Sequence, residues 1–439
     1  MSILKVVHIN TSFRGGAGRA VNRLHEALLK NGVNSSFLSL DASPDLHSKM
    51  IFSEFRQPQS ISFGYHSFLQ SLKSKFLFRM KKYFGIQIEG NNEREIGVFN
   101  HIKKDLDCEF SSLPFSVYNV LENSLVKEAD IIHLHWIAGM VDYESFFRIN
   151  NKPIVWTLHD MNPFQGIFHY KEDELRNVEV SGKLDKKIRE LKERVITKRK
   201  SALFIVAPSN WLLNEAKKSK AFAGVQGFCI SNAIDTSVFT NQKSDVVKKI
   251  NRIPENNIVF LFAAHSVNVH RKGFDILIET LKKIKFASFT LLVLGTNDDN
   301  VPNGLDIIYL GSENDDNKLI NYYSVADAFI IPSREDNLPN VMLESFACGT
   351  PVIAFSVGGI KEHIIDFKTG LLAKEINAES LEQAIEDFCN NKQRFDRSFI
   401  QNYAIDNFGE QLIANKYNEL YHEVIKIARL NGQTFYNNN

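Results

Sequence analysis

The segment Ala328 to Phe355 constrains the chain most. Ala328 to Ile331 is wholly apolar and reads as a buried strand, and Pro332 to Asn337 is a polar loop. Pro339 then stands in the first turn of a helix that stops at Gly349, and Pro351 to Phe355 is a second apolar strand. A strand feeding a helix whose first N–H groups lack partners makes a seat for phosphate at the strand's carboxyl end. Asp336 and Glu344 flank that seat, and carboxylates accept hydrogen bonds from sugar hydroxyls. A phosphate and hydroxyls held together suggest a nucleotide sugar.

The same alternation of strand and helix fills the chain and implies parallel, doubly wound α/β sheets. Strands are expected at Leu4 to Asn10, Ser36 to Leu40, Ile131 to Leu134, Ile154 to Leu158, Phe204 to Ala207 and Gly227 to Ser231. A second series covers Ile258 to Ala263, Phe289 to Leu294, Ile307 to Leu310, Ala328 to Ile331 and Pro351 to Phe355. The helix after the first strand should bury Val21, Leu24, Leu28 and Leu29 and end at Gly32. With 439 residues, two domains are expected, and 44% apolar with 23% charged residues is ordinary globular composition. A net charge of +1 argues against nucleic acid as a partner.

Four scattered cysteines, Cys108, Cys229, Cys348 and Cys389, fit a reducing cytosol better than a disulfide framework. A first strand beginning by Leu4 leaves no room for a signal peptide, and no apolar run reaches membrane-spanning length. The stretch 68–84 is both aromatic and basic. It reads either as a helix lying on anionic lipid at the inner face of the cytoplasmic membrane or as one packed on the first domain. The basic run Lys183 to Lys200, including Lys192, reads as a solvated helix face. Asn437 to Asn439 read as a frayed end.

Three further stretches carry chemistry. Gly15, Gly16 and Gly18 follow the first strand and let backbone approach a ligand. A dinucleotide fingerprint would need glycine at Val21, although Asp41 stands where a ribose-binding acid would. His159 follows the Trp156 strand and faces the ligand crevice. Arg271 and Lys272 follow the first strand of the second series, where fixed cations would stabilise a leaving diphosphate. His133 and His135 share a strand face, but no further ligand appears at metal spacing, so no metal site is expected.

The Asp336–Glu344 segment resembles the carboxylate signature of retaining glycosyltransferases of the GT-B fold, family 4, of the bacterial polysaccharide-biosynthesis type. There two acids are separated by seven residues, and Asp336 takes the place of the more usual Glu. The resemblance implies two Rossmann-like domains facing a central cleft: 1–238 on the acceptor side and 239–410 on the donor side. A hinge would lie near Asp235 to Ser244, and a helix at 411–430 would return to the first domain. It also implies donor contacts from Gly15, Gly16, Gly18, Leu338, Pro339, Asn340, Val341 and Glu344. His159 and Asp336 would grip the sugar, while Arg271 and Lys272 would neutralise the phosphate, Arg271 standing in for an Arg absent near Ala264 and His265. Ala207 to Trp211 and Ile230 to Asp235 would be hinge and scaffold. The implied partners are a UDP- or GDP-sugar and a glycan or lipid-linked acceptor, with no cofactor and no metal. A sugar-nucleotide epimerase or hydrolase, or a non-catalytic binding protein, could use the same residues.

Overall fold

The computed structural model describes residues 4–41, 92–242, 246–296 and 304–430. The aromatic and basic stretch 68–84, the end of the hinge at Ser244 and the tail 437–439 lie outside the described residues.

Among the described residues there are two six-stranded parallel sheets. The first contains β1 (Lys5–Ile9), β2 (Asn34–Leu38), β3 (Ile131–Leu134), β4 (Ile154–Thr157), β5 (Leu203–Ala207) and β6 (Gln226–Cys229), in the order β2-β1-β3-β4-β5-β6. The second contains β7 (Ile258–Ser266), β8 (Phe289–Thr296), β9 (Ile307–Gly311), β10 (Ala328–Ile331), β11 (Val352–Phe355) and β12 (Gly370–Ala373), in the order β12-β11-β10-β7-β8-β9. Every residue of β3, β4, β10 and β11 is buried. Helices cover both faces of such sheets, so these strands read as continuous apolar runs rather than alternating ones.

Strand order decides where a ligand can sit. In each sheet the order reverses next to the first strand, between β1 and β3 and between β7 and β10. Chain leaving neighbouring strands there diverges to opposite faces and opens a crevice at their carboxyl ends. The glycine loop after β1 lies at one reversal. At the other, the Arg271–Lys272 turn after β7 lies beside the Asp336 loop after β10.

Helices of eight residues or more are numbered here: α1 (Gly15–Lys30), α2 (Glu93–Ile102), α3 (Val178–Thr197), α4 (Asn210–Lys218), α5 (Phe274–Lys283), α6 (Asp316–Val325), α7 (Asn340–Ala347), α8 (Ala378–Asn390), α9 (Arg397–Phe408) and α10 (Glu410–Leu430). Helix α1 buries Val21, Leu24 and Leu28, whereas Leu29 falls off the apolar stripe and is exposed. Helix α10 returns to the first sheet, where Tyr417, Leu420, Tyr421 and Val424 pack with Leu24, Leu28 and Val155. Each such side chain taken fully from water contributes about 1.5–3 kcal/mol.

Three sequence expectations are corrected. Strand β2 lies two residues earlier than expected, because Leu40 N–H bonds to Thr11 C=O and Ser39 Oγ to the same oxygen, drawing 39–41 out of the ladder. Strand β12, four residues with no alternating pattern, was not anticipated. Lys192 does not belong to a solvated face. It is buried, and its Nζ donates to Asn162 O at 2.7 Å, Asn162 Oδ1 at 3.1 Å and Gly166 O at 2.6 Å. Burial pulls this ammonium down to about 7, but its three donors meet three oxygens, so it pins the 162–166 turn beneath His159.

Candidate active site

Helix α7 positions the two signature acids. Pro339 occupies its N-cap with φ −68°, no side chain caps the end, and no acid stands in the first turn. The positive end of the helix is therefore not internally neutralised. Gly349 adopts φ +71° just past the helix and lets the chain turn into β11. Gly358, at φ +49°, packs so closely on the acid loop that a Cβ would lie 1.7 Å from Asp336 O.

Glu344 is on the second turn, with only 1% of its side chain exposed. Its Oε1 accepts from Arg23 Nη2 at 2.8 Å and Arg19 Nη1 at 3.1 Å, and its Oε2 from Tyr323 OH at 2.9 Å. Burial alone would raise the pKa of this carboxyl, but Arg23 and Arg19, aided by the hydrogen bonds, hold it below the usual range. Both arginines come from α1 of the first domain, so this pairing crosses the cleft.

Asp336 is also buried and ionised. Its Oδ2 meets Lys272 Nζ at 2.7 Å and Arg271 Nη1 at 3.3 Å. Burial opposes the charge, and Lys272 followed by Arg271 outweighs it, so the carboxyl stays below its ordinary value. The two cations differ in freedom. Arg271 is buried, ion-paired to Glu109 of the first domain, hydrogen-bonded to Glu335 O at 3.0 Å, and stacked on Tyr170 at 4.0 Å. Lys272 keeps 19% of its side chain exposed, with Asp336 as its ion-pair partner. The geometry therefore leaves Lys272 as the cation available to a ligand and commits Arg271 to holding the loop.

Gly273 ends that turn at φ +68°, and a Cβ there would lie 1.8 Å from Pro332 O. Gly273→Ala is expected to destabilise the second domain by about 2–4 kcal/mol and to displace Lys272. Thermal unfolding measures this, and an unchanged midpoint would show that the loop accommodates a side chain.

The first domain supplies the opposite wall. Asn340 Nδ2 donates to Gly16 O at 2.8 Å, so the glycine loop faces the start of α7. Gly15 needs its φ of +75°, and Gly18 has no room for a Cβ against Phe13. Asp41 is spent on shaping this loop, accepting from Ser12 Oγ at 2.7 Å, Phe13 N at 2.9 Å and Ser39 Oγ at 2.8 Å. Asn337 Nδ2 donates to His159 O at 3.3 Å, while its Oδ1 accepts from Ser209 Oγ at 2.6 Å. Asn232 reaches Asn340 Oδ1 at 3.1 Å, and Glu362 accepts from the N–H groups of Asn210 and Trp211 at 2.9 and 2.7 Å. The stretches read as hinge and scaffold thus lie on the seam between the domains. Glu344, Asn340, Asn337 and His159 follow one another along it.

Behind His159 lies a chain of imidazoles. His8 Nδ1 and His135 Nε2 are 2.9 Å apart, and His135 Nδ1 and His159 Nε2 are 3.1 Å apart. His8 and His133 are partners in the β1–β3 register and so share a face. His133 bonds to Tyr421 OH at 2.7 Å and Thr157 Oγ1 at 2.8 Å, which ties the chain to α10. The ring nitrogens of His8, His133 and His135 lie close enough to hold a metal ion. Three of the six are paired with another imidazole and two with the hydroxyls of Tyr421 and Thr157, so among the described residues only His8 Nε2 is without a partner. Asp160, next to His159, accepts from His169 and from Trp136 Nε1 at 2.6 and 3.1 Å.

Sequence reasoning missed Arg19, Arg23, Tyr323, Glu109, Tyr170 and Asn337. Arg23 had a signal, since it stands one helical turn beyond Arg19. The others reach the site through tertiary packing, which spacing does not encode.

Residues 243–405 match the family described as glycosyl transferases group 1. An uncharacterized 41.2 kDa protein from the cps region of Klebsiella pneumoniae is 25% identical over 71% of this chain and 84% of its own length. An uncharacterized glycosyltransferase of Methanocaldococcus jannaschii is 34% identical, but the alignment spans 28% of this chain and 37% of that protein. A diphospho-undecaprenol N-acetylgalactosaminyltransferase of Campylobacter jejuni is 26% identical over 42% of this chain and half of its own length. Among solved structures, sucrose-phosphate synthase from Thermosynechococcus elongatus superposes with a TM-score of 0.65 at 18% identity, covering 97% of this chain and 100% of that one. The Anabaena protein HepE in complex with UDP gives 0.56 at 16%, covering 96% and 100%. The fold is GT-B, residues 243–405 match the group 1 glycosyltransferase family, and fold and relatives together support a glycosyltransferase enzyme.

Proposed function

We propose that the protein moves a sugar from a UDP- or GDP-sugar to a glycan or lipid-linked saccharide, with retention of configuration, in polysaccharide assembly. The observation that carries this reading is the arrangement around α7. A bare helix end faces the glycine loop, Glu344 stands one turn along it, and Asp336 with Lys272 stands at its approach. That set matches a donor's parts in order: ribose at Glu344, diphosphate at Leu338 to Val341 and Lys272, sugar between Asp336 and His159. HepE was solved with UDP and with UDP-glucose, and the Campylobacter relative is named for a lipid-linked saccharide, which supports the same substrate classes here.

In the reaction, the bond between the anomeric carbon and the β-phosphate oxygen breaks, and that oxygen gains charge. Lys272 and the helix end meet the charge without a metal. The acceptor hydroxyl forms its bond on the face the phosphate leaves, and the departing phosphate oxygen takes its proton. Neither signature acid serves as a nucleophile, because each is held by cations as a hydrogen-bond acceptor.

Titration calorimetry with UDP and GDP tests the donor assignment. One of them should bind the native protein, and Glu344→Gln should weaken it about 10–100-fold, the scale of hydrogen bonds to a charged group. Equal affinity in the variant would remove the ribose role. Incubation with sugar nucleotides and saccharide acceptors, with product analysis, tests transfer itself, and retention is read from the anomeric proton coupling of the product.

A further inference from the structure

Glu344 is not free to receive a ribose in this structure. A carboxylate offers about four lone-pair sites. Both on Oε1 are taken, by Arg19 and Arg23, and one on Oε2 is taken by Tyr323. A diol binding across both oxygens must displace one of the Oε1 donors.

The two arginines are unequal. Arg23 makes the shorter contact, keeps only 10% of its side chain exposed, and lies 5.0 Å from the Phe239 ring centre. Arg19 makes the longer contact and is 30% exposed. It also stands one turn from the start of α1, just as Glu344 stands one turn from the start of α7. The Gly16–Asn340 hydrogen bond brings those two helix starts together. A shift of about one helical pitch, roughly 5 Å, along the cleft would carry the Arg19 guanidinium from Glu344 to the converging helix ends. That distance is within reach of an arginine side chain. A second observation points to an anion: Arg23 Nη1 is buried with no partner among the described residues, so this patch has cationic donors in excess of its acceptors.

We propose that Arg19 is a diphosphate-binding residue supplied by the first domain, parked on Glu344 until donor arrives. Ribose takes Glu344, Arg19 transfers to the diphosphate, and Arg23 stays to keep Glu344 ionised. The donor would thereby exchange one cross-cleft ion pair for another and bind only with both domains engaged. This inference rests on the nucleotide-sugar reading above.

The test compares a nucleoside with its diphosphate. Calorimetry is run with uridine and UDP, and with guanosine and GDP, on the native protein, Arg19→Gln and Arg19→Lys. In Arg19→Gln the diphosphate should bind at least 10-fold more weakly, while the nucleoside binds equally or more tightly because its competitor is gone. Arg19→Lys should recover part of the diphosphate affinity. Tighter diphosphate binding in Arg19→Gln would mean that the arginine only obstructs Glu344, and equal weakening of nucleoside and diphosphate would mean that it only supports the fold. Either result overturns the proposal while leaving the donor reading intact. Failure of the native protein to bind UDP or GDP would sink the donor reading and this inference together.

Discussion

Replacing Lys272 by alanine is expected to lower turnover by about two to three powers of ten, the scale of losing one donor to charge that develops in a transition state. The physical case is the contrast with its neighbour. Arg271 has its guanidinium shared among Glu109, Asp336, Glu335 and the Tyr170 ring, so recruiting it to a phosphate would break a buried network. Among the described residues Lys272 has a single close ion-pair partner, and it stands at the sheet's order reversal, where the ligand crevice opens. Its removal leaves Asp336 still paired to Arg271, so stability should change little. Steady-state kinetics separates the two contributions. A fall in kcat with KM nearly constant identifies transition-state stabilisation, whereas a rise in KM alone assigns Lys272 to ground-state binding. Lys272→Arg keeps the charge and should recover part of the rate. Native-like turnover in Lys272→Ala would move the catalytic cation elsewhere.

What was legible in the sequence followed from how local the physics was. Ten of the eleven expected strands could be read within two residues of their ends because buried parallel strands are short apolar runs bounded by turn residues; β2 is among them, shifted by two where a side-chain network drew residues out of the ladder, and β7 runs three residues past its expected end. The α7 segment was readable because Pro339, Gly349 and the acid spacing all act within one helix. Lys192 was misplaced because a lysine in a basic run looks solvated unless its carbonyl partners, some thirty residues away, are known. The cross-cleft partners of Glu344 lie more than three hundred residues from it in the chain. Charge type alone could nominate Arg19 and Arg23 but could not join them to that acid. The same limit applies to His8, which sits in an apolar strand and reveals its role only when β1 pairs with β3.

That histidine network predicts a strong acid sensitivity confined to the first domain. Burial, reinforced by their neighbours, holds His8, His133 and His135 well below the ordinary imidazole value, and burial brings His159, and His25 of α1, whose ring centre lies 6.1 Å from that of His8, to about 4. Each ring is therefore neutral when folded, and each takes up a proton near pH 6.5 when unfolded. Below pH 6.5 the unfolded chain binds more protons, so stability falls as the pH falls. Between pH 7.5 and 5 the loss is about 2 kcal/mol per histidine, from the factor of 1.4 kcal/mol per pH unit. Half of the set would then remove an amount comparable to the roughly 5–15 kcal/mol that holds a domain folded. In the second domain only His363 is lowered among the described residues for which a shift is resolved, so that domain should resist the same acidification. Scanning calorimetry at pH 7.5, 6.5 and 5 should show one transition moving sharply down while a second moves little. The α10 helix should report the first transition, because Tyr421 donates to or accepts from His133 and Tyr417 shares Thr157 with it. A protonated His133 would place an uncompensated buried charge against Tyr421 and loosen the helix that closes the chain onto its first domain. Two transitions that shift in parallel would place the acid-sensitive groups outside this network.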